Sequence, residues 1–267
     1  MHRRAAIQAA AALLATVASP GASSGASSGT SGAAQASSEP FRLAYFETYS
    51  PLSFYENGVL RGILVDVLEE MFIRLGVPHL HEGFPWPRAQ ALVQRGERDA
   101  ICTIATPQRL EYAEAADEPV VTAPTCIFVR EDHPMLQRLS RVQNLEGLRA
   151  LGLSVLSYAA NGWAKAKLEG FNVLWGNDFN SSLKMLVAKR GDVMVENALT
   201  MQYSLKHIAG GEAVRMLPNR VDQANFQLLV SKLSPHVGLL PEFSRVLARF
   251  KQTPGYAEIF QRYGVRI

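Results

Sequence analysis

Two segments of this chain, LVQRGERDAI (residues 92–101) and LVAKRGDVMV (residues 186–195), run the same way. Each passes from helical apolar spacing through a glycine and an aspartate into an apolar run. A helix that stops near glycine and hands over to a strand is the joint of a layered α/β structure. Meeting that joint twice restricts the chain to two similar α/β units, each with its own sheet.

The pattern around each joint agrees with this. FRLAYF, from Phe41, reads as a strand, and TYSPLSFYENGVLRG as a loop in which Asn57-Gly58 signals a turn. ILVDVLEEMFIRLG puts Leu64, Leu68, Met71, Phe72 and Leu75 on one helical face and closes at Gly76. PHLHEGF is the next strand, PWPRAQALVQRG a helix with Pro87 in its first turn, and DAICTIA a third strand. In the second unit, RALGLSVL, NVLWG and DVMVEN read as strands, and NGWAKAKLEG and NSSLKMLVAKRG as helices. Two extended runs, VVTAPTCIFVRED and ANFQLLVSK, bracket that unit as crossovers, and the amphipathic helices in LLPEFSRVLARFKQ and TPGYAEIFQRYG follow. Two lobes hinged on two strands hold a ligand in the cleft between them.

Composition narrows the classes. With 48% apolar and 19% charged residues, 267 residues suffice for one or two packed cores. The net charge is +3, with Arg3 and Arg4 at the extreme N-terminus and no basic block elsewhere, which argues against nucleic acid. Residues 1–40 read as a secretory signal (MHRR, then AAIQAAAALLATVA) and a disordered Ser/Gly/Ala linker, exported through either the general or the twin-arginine route. No cysteine directly follows the apolar run to carry a lipid, and no later run is apolar enough to span a membrane. The expected location is the periplasm, with the signal cleaved. Cys102 and Cys126, the only cysteines, both lie in strand-like runs; they read as buried thiols, with a disulfide permitted by export. His79 and His81 read as strand positions rather than the start of a zinc site, so no metal and no cofactor are expected.

The order TYSPLSF, GVLRGILVDVLEEM, GERDAI, TPQR, CIFVREDHP, KRGDVMVEN and LVSK, closed by an aromatic-rich last helix, resembles the extracellular solute-binding proteins of family 3. These are the amino-acid-type substrate-binding components of ABC importers. The resemblance implies the two-lobed periplasmic binding protein fold of type II: residues 41–128 plus 226–267 as lobe 1, and 129–225 as lobe 2. It also implies a monomer that captures a small carboxylate-bearing or amino-acid-like molecule by lobe closure and delivers it to a membrane permease.

The family's binding residues carry over position by position. Its T-x-x-R arginine, which grips the ligand carboxylate, matches Arg109, and a planar guanidinium suits that task. The acidic run after Arg109 reads as a solvated helical turn rather than its permanent partner. Tyr49 matches the aromatic that packs on the ligand, Thr103 a hydroxyl position, and Ser157 and Tyr158 the opening turn of the second lobe. Where amino-acid binders place an aspartate for the ammonium, this chain has Asn197, with Glu196 one residue earlier; strand alternation lets only one of them face the cleft. Trp86, at a helix start, either contacts ligand or packs the helix on its sheet, while Arg88 reads as solvated. Glu69 and Glu70 read as solvent-facing. The chain lacks G-x-S-x-G, G-x-G-x-x-G, G-x-x-x-x-G-K and H-E-x-x-H, so a non-enzyme is expected. Two alternatives stay open: an accessory or sensor binding protein, and a cyclic-acid dehydratase-like lyase using Glu196 or Glu47 as acid or base.

Overall fold

The computed structural model describes residues 39–159 and 161–266, so the export signal and all but the end of the linker expected over residues 1–40 lie outside the described residues. The first strand shows the logic of the whole. In β1 (Phe41–Phe46), Phe41, Leu43 and Tyr45 belong to one buried cluster and Ala44 to another, because successive side chains leave a strand on opposite faces. A strand buried on both faces needs a helix layer on each side.

TYSPLSFYENGVLRG is not a loop. It forms a small antiparallel sheet of β2 (Thr48–Tyr49), β3 (Ser53–Glu56) and β4 (Val59–Arg61). Its turn signal builds it: Asn57 and Gly58, with φ of 52° and 78°, are the two left-handed residues a tight two-residue hairpin requires. Helix α1 (Ile63–Leu75) then buries Leu64, Leu68, Met71 and Phe72 and stops at Gly76, whose φ of 64° is the left-handed conformation glycine adopts most readily. Next come β5 (His79–Phe84), α2 (Trp86–Gln94) with its early proline, and β6 (Ala100–Ile104). The single turn α3 (Pro107–Leu110) is capped by Thr106. Part of the acidic run after it, expected as a helical turn, is the short strand β7 (Ala113–Ala115), held in place by pairing with the end of the long strand over Val214–Ser231.

The chain crosses on β8 (Val121–Arg130). Two short helices follow, α4 (Leu136–Leu139) and α5 (Leu145–Arg149); α5 is capped by Asn144 and precedes β9 (Ser154–Tyr158), so the strand expected over RALGLSVL begins only at Ser154. Then come α6 (Gly162–Lys167), β10 (Asn172–Gly176), α7 (Phe179–Val187), β11 (Val193–Asn197) and α8 (Ala198–Leu205). The long β12 (Val214–Ser231) returns, and α9 (Leu240–Phe250) and α10 (Pro254–Arg262) finish the fold.

The expected pair of sheets is one continuous sheet, in the order β10-β9-β11-β8-β12-β6-β1-β5, with β7 also on β12. The reason is that β8 and β12 pair antiparallel along their length, from Val121 opposite Phe226 to Arg130 opposite Val214, with irregularities around Arg220. On one side of them β1, β5 and β6 run parallel; on the other, β9, β10 and β11 do. Each half is a helix–sheet–helix sandwich. In the first, Leu43, Cys102 and Leu228 face α1, α9 and α10, while Ala44, Ile101 and Leu229 face α2. In the second, Val155, Val195 and Ile127 face α4, α5 and α6, while Leu156, Met194 and Phe128 face α7 and α8. Fully burying one such side chain stabilises a fold by about 1.5–3 kcal/mol, so these paired layers dominate the favourable energy.

The repeated joint has a repeated task. Asp99 Oδ2 accepts the backbone N–H of Arg42 at 2.8 Å, and Asp192 Oδ2 accepts that of Ser154 at 2.8 Å. Each aspartate also takes a serine hydroxyl at 2.5 Å, from Ser234 and Ser154 respectively. The carboxylate pins its own strand to the start of the neighbouring one in both halves. Cys102 and Cys126 are buried free thiols on β6 and β8, with β12 between their strands. Among the described residues no helix is long and apolar enough to cross a membrane.

Candidate ligand-binding site

Open α/β sheets present their ligand chemistry at the carboxyl ends of parallel strands. In the first half, Tyr49 follows β1, Trp86 follows β5 and Arg109 follows β6; in the second, Tyr158 and Glu196 stand at the ends of β9 and β11.

Arg109 is held by its neighbours rather than by a counter-ion. Its Nε donates to Gln90 Oε1 at 3.1 Å and its Nη1 to the Ile104 carbonyl at 2.8 Å, and the guanidinium lies 5.2 Å from the Trp86 ring centroid. Two of about five N–H groups are so used, leaving donors on the terminal nitrogens. Burial pulls its pKa down from the ordinary arginine value, and among the described residues no carboxylate is within ion-pair distance. Trp86 both packs and displays: its ring is 6.0 Å from Phe46 and it carries the Arg109 guanidinium on its face. Arg88 lies over Phe84 at 5.4 Å.

Aromatic contact continues from there within the first half. Phe46 meets Tyr49 at 5.9 Å, and Tyr49 meets Phe226 at 6.2 Å. Burial, and then the charge of Glu196, push the Tyr49 pKa well up, a hydrogen bond with Thr200 pulling the other way. Tyr158 is perturbed the same way, by burial first and then by Glu196 and Tyr49, while its ring stands edge-on to Phe179 at 5.9 Å.

Glu196 is the counterpart of Arg109. Its carboxylate accepts from Asn161 Nδ2 at 3.2 Å and from the Asn197 backbone N–H at 2.9 Å. Burial pushes its pKa up from 4.5 to about 7, the Asn197 N–H pulling the other way. No cationic side chain among the described residues is within ion-pair distance of it. Strand alternation separates it from Asn197 as expected. The Asn197 side chain turns back to cap α8, its Oδ1 accepting from Leu199 at 2.9 Å and Thr200 at 3.4 Å. Ser157 and Thr103 are buried on β9 and β6, with exposures of 1% and 8%.

Among the described residues, three buried polar atoms near this group have no hydrogen-bond partner: Tyr112 Oη, Ser157 Oγ and Asn197 Nδ2. Orphaned buried polar atoms are uncommon, and each calls for an explanation such as strain, ordered water or a bound group. Tyr112 adjoins Arg109 electrostatically, and Thr200 adjoins Tyr49. A cavity of about 370 Å³ lined by Phe54, Arg61, Asp66, Tyr203, Arg262 and Tyr263 is a separate feature. Its charges are already matched, Arg262 with Asp66 at 3.2 Å and Arg61 with Glu56.

Sequence reasoning missed Gln90, Phe46, Asn161 and Thr200. Only Asn161 carried a local signal, as the asparagine opening NGWAKAKLEG. Its Oδ1 caps α6 by accepting the Ala164 N–H at 3.0 Å, which leaves Nδ2 for Glu196.

An ancestral arginine-binding protein bound to arginine is 19% identical, with a TM-score of 0.61 over 85% of this chain and 98% of that one. A histidine kinase sensor domain with similarity to periplasmic binding proteins is 18% identical, with a TM-score of 0.64 over 85% and 97%. The holo ArgBP of T. maritima is 21% identical, with a TM-score of 0.56 over 84% and 96%. At such identities the likeness establishes the two-lobed fold. Comparison with the curated proteins finds no match. The sequence model of the bacterial extracellular solute-binding proteins, family 3, matches residues 41–266, and the chain belongs to that family.

Proposed function

We propose that this protein captures a small amino-acid-like molecule between its lobes (residues 41–128 plus 226–267, and 129–225) and hands it to the permease of an ABC importer in the periplasm. The observation that carries the reading is a pair of unmatched groups. Among the described residues, Arg109 is a guanidinium without a carboxylate and Glu196 a carboxyl without a cation, and the aromatic surface of Trp86, Phe46 and Tyr49 runs between them. A ligand with a carboxylate, an apolar body and an ammonium supplies what each lacks. Tyr158, Ser157, Asn197, Thr103 and Thr200 then line the space as polar partners. Closure follows because the ligand gains contacts from both lobes only when they are together; that differential affinity drives the shift.

The permease, the single-chain state and the carboxylate all belong to this proposal. Titration calorimetry with amino acids, dicarboxylates and small cyclic acids tests it, with the best ligand rerun across pH. An ammonium ligand needs ionised Glu196, so its affinity rises as pH climbs toward about 7 and then levels. Affinity that instead falls over that range means a neutral Glu196 donates to an acidic ligand lacking an ammonium. Equal binding by the Arg109→Ala variant would remove the carboxylate from the proposal. Turnover of any ligand without added partner would favour the lyase reading.

A further inference from the structure

Away from the cleft, at the outer edge of the first half, three ligand-type side chains converge. Glu69 projects from α1, and His79 and His81 project from the edge strand β5. The histidines are two residues apart on a strand, so they share a face. Glu69, expected to face solvent, meets both: its Oε2 is 2.9 Å from His79 Nε2 and 3.1 Å from His81 Nε2. One ligand atom from each of the three lies within 4.8 Å of the others.

The tautomers sharpen the point. His79 Nδ1 is 2.9 Å from the Val77 carbonyl, which can only accept, so Nδ1 carries the proton and donates. In the neutral ring Nε2 is then a bare lone pair facing a carboxylate oxygen. Two acceptors at that distance need a positive body between them, a proton or a metal. A backbone carbonyl on the far ring nitrogen is also how metal-bound histidines are oriented. His81 Nδ1 is paired with the Tyr45 hydroxyl at 2.8 Å, and its buried Nε2 has no hydrogen bond of acceptable geometry. Both rings are locked in place, His79 stacked on Phe72 at 5.2 Å and His81 on Tyr45 at 5.5 Å. A metal therefore meets ligands whose ordering cost is already met by packing.

We propose that Glu69, His79 and His81 form a binding site for a divalent transition cation of the zinc type. Two imidazoles and one carboxylate match zinc's nitrogen and oxygen preference and leave the fourth tetrahedral position to water, since Glu69 is half-exposed. Calcium and magnesium, which want oxygen ligands, do not fit. Bound there, the ion clips α1 to the edge strand and stiffens the first half independently of the cleft.

The test uses the untagged full chain, stripped with a chelator and then given zinc alone or cobalt(II) alone. Wild type takes up one equivalent of zinc, its Tm rises by several degrees, and cobalt gives the intense visible bands of a four-coordinate site. Glu69→Gln keeps the wild-type Tm in chelator but loses affinity at least about ten-fold, together with the cobalt bands. His79→Gln provides a second variant with the same expected loss. Uptake well below one equivalent by wild type overturns the proposal. So does undiminished binding by Glu69→Gln, which would place the metal elsewhere, for example at the His133–Asp192 pair.

Discussion

The two halves of the molecule share a plan and differ in what they offer across the cleft. Both are parallel sheets between helix layers, and both pin two strands with an aspartate, Asp99 in one and Asp192 in the other. The first half then presents Arg109 on a single turn after β6, fixed by Gln90, the Ile104 carbonyl and Trp86. The second presents Glu196 near the end of strand β11, partly buried and braced by Asn161. Arginine stays charged at any physiological pH even when burial lowers its pKa, whereas a carboxyl raised to about 7 does not. One half therefore offers a permanent charge, and the other a conditional one. Scaffold repetition sets where the groups stand, and local burial sets what they are.

The strongest way to break that contrast is Arg109→Ala. Removing a permanent charge from a desolvated pair costs about 3 kcal/mol, roughly a hundred-fold in affinity, with little change in Tm. Calorimetry checks the first number and thermal unfolding the second.

Glu196→Gln comes next. It lowers affinity for an ammonium-bearing ligand by roughly ten-fold to a hundred-fold at pH 8. The same change sharpens the contrast in the unliganded protein. Because the folded-state pKa of Glu196 lies above its ordinary 4.5, the native state holds a proton that the unfolded state releases, and stability falls as pH rises from about 4.5 to about 7. Unfolding curves across that window show the slope in wild type and a flatter one in Glu196→Gln. An identical slope in both would move the titration to another group.

Asn197→Ala separates capping from binding. Loss of the α8 cap costs about 1 kcal/mol and lowers Tm by about 2–4 °C. Its effect on affinity reports whether Nδ2 meets the ligand. The smallest effect belongs to Gln90→Ala, which removes one bond orienting Arg109. The expected cost is about 1 kcal/mol in binding, a several-fold rise in Kd, with stability unchanged.

Much of this was legible beforehand because it is written in local periods. The face of α1, the stop at Gly76, the Asn57-Gly58 turn and the two aspartate joints each depend on residues within one or two turns of chain. Arg109 was singled out differently, through the resemblance of TPQR to the family's T-x-x-R element, since locally it reads as an ordinary helix-start arginine. Glu69 was not legible. On α1 it reads as a solvent-side acid, and only the parallel pairing of β5 with β1 brings His79 and His81 under it. Asn161 and Gln90 were hidden likewise, since their partners Glu196 and Arg109 are far away in sequence.

The sequence by itself determined the order of the longer strands and helices, the two α/β units and the repeated glycine–aspartate joints, because backbone hydrogen bonding and apolar spacing are satisfied within short stretches. Tertiary structure alone decided that β8 and β12 fuse the two units into one sheet, and that EYAEAADEP contributes a strand. It also decided that Asn197 serves as a helix cap while Glu196 is left with a raised pKa. Those outcomes depend on burial and on partners brought in from distant segments, and neither is a property of any short stretch of chain.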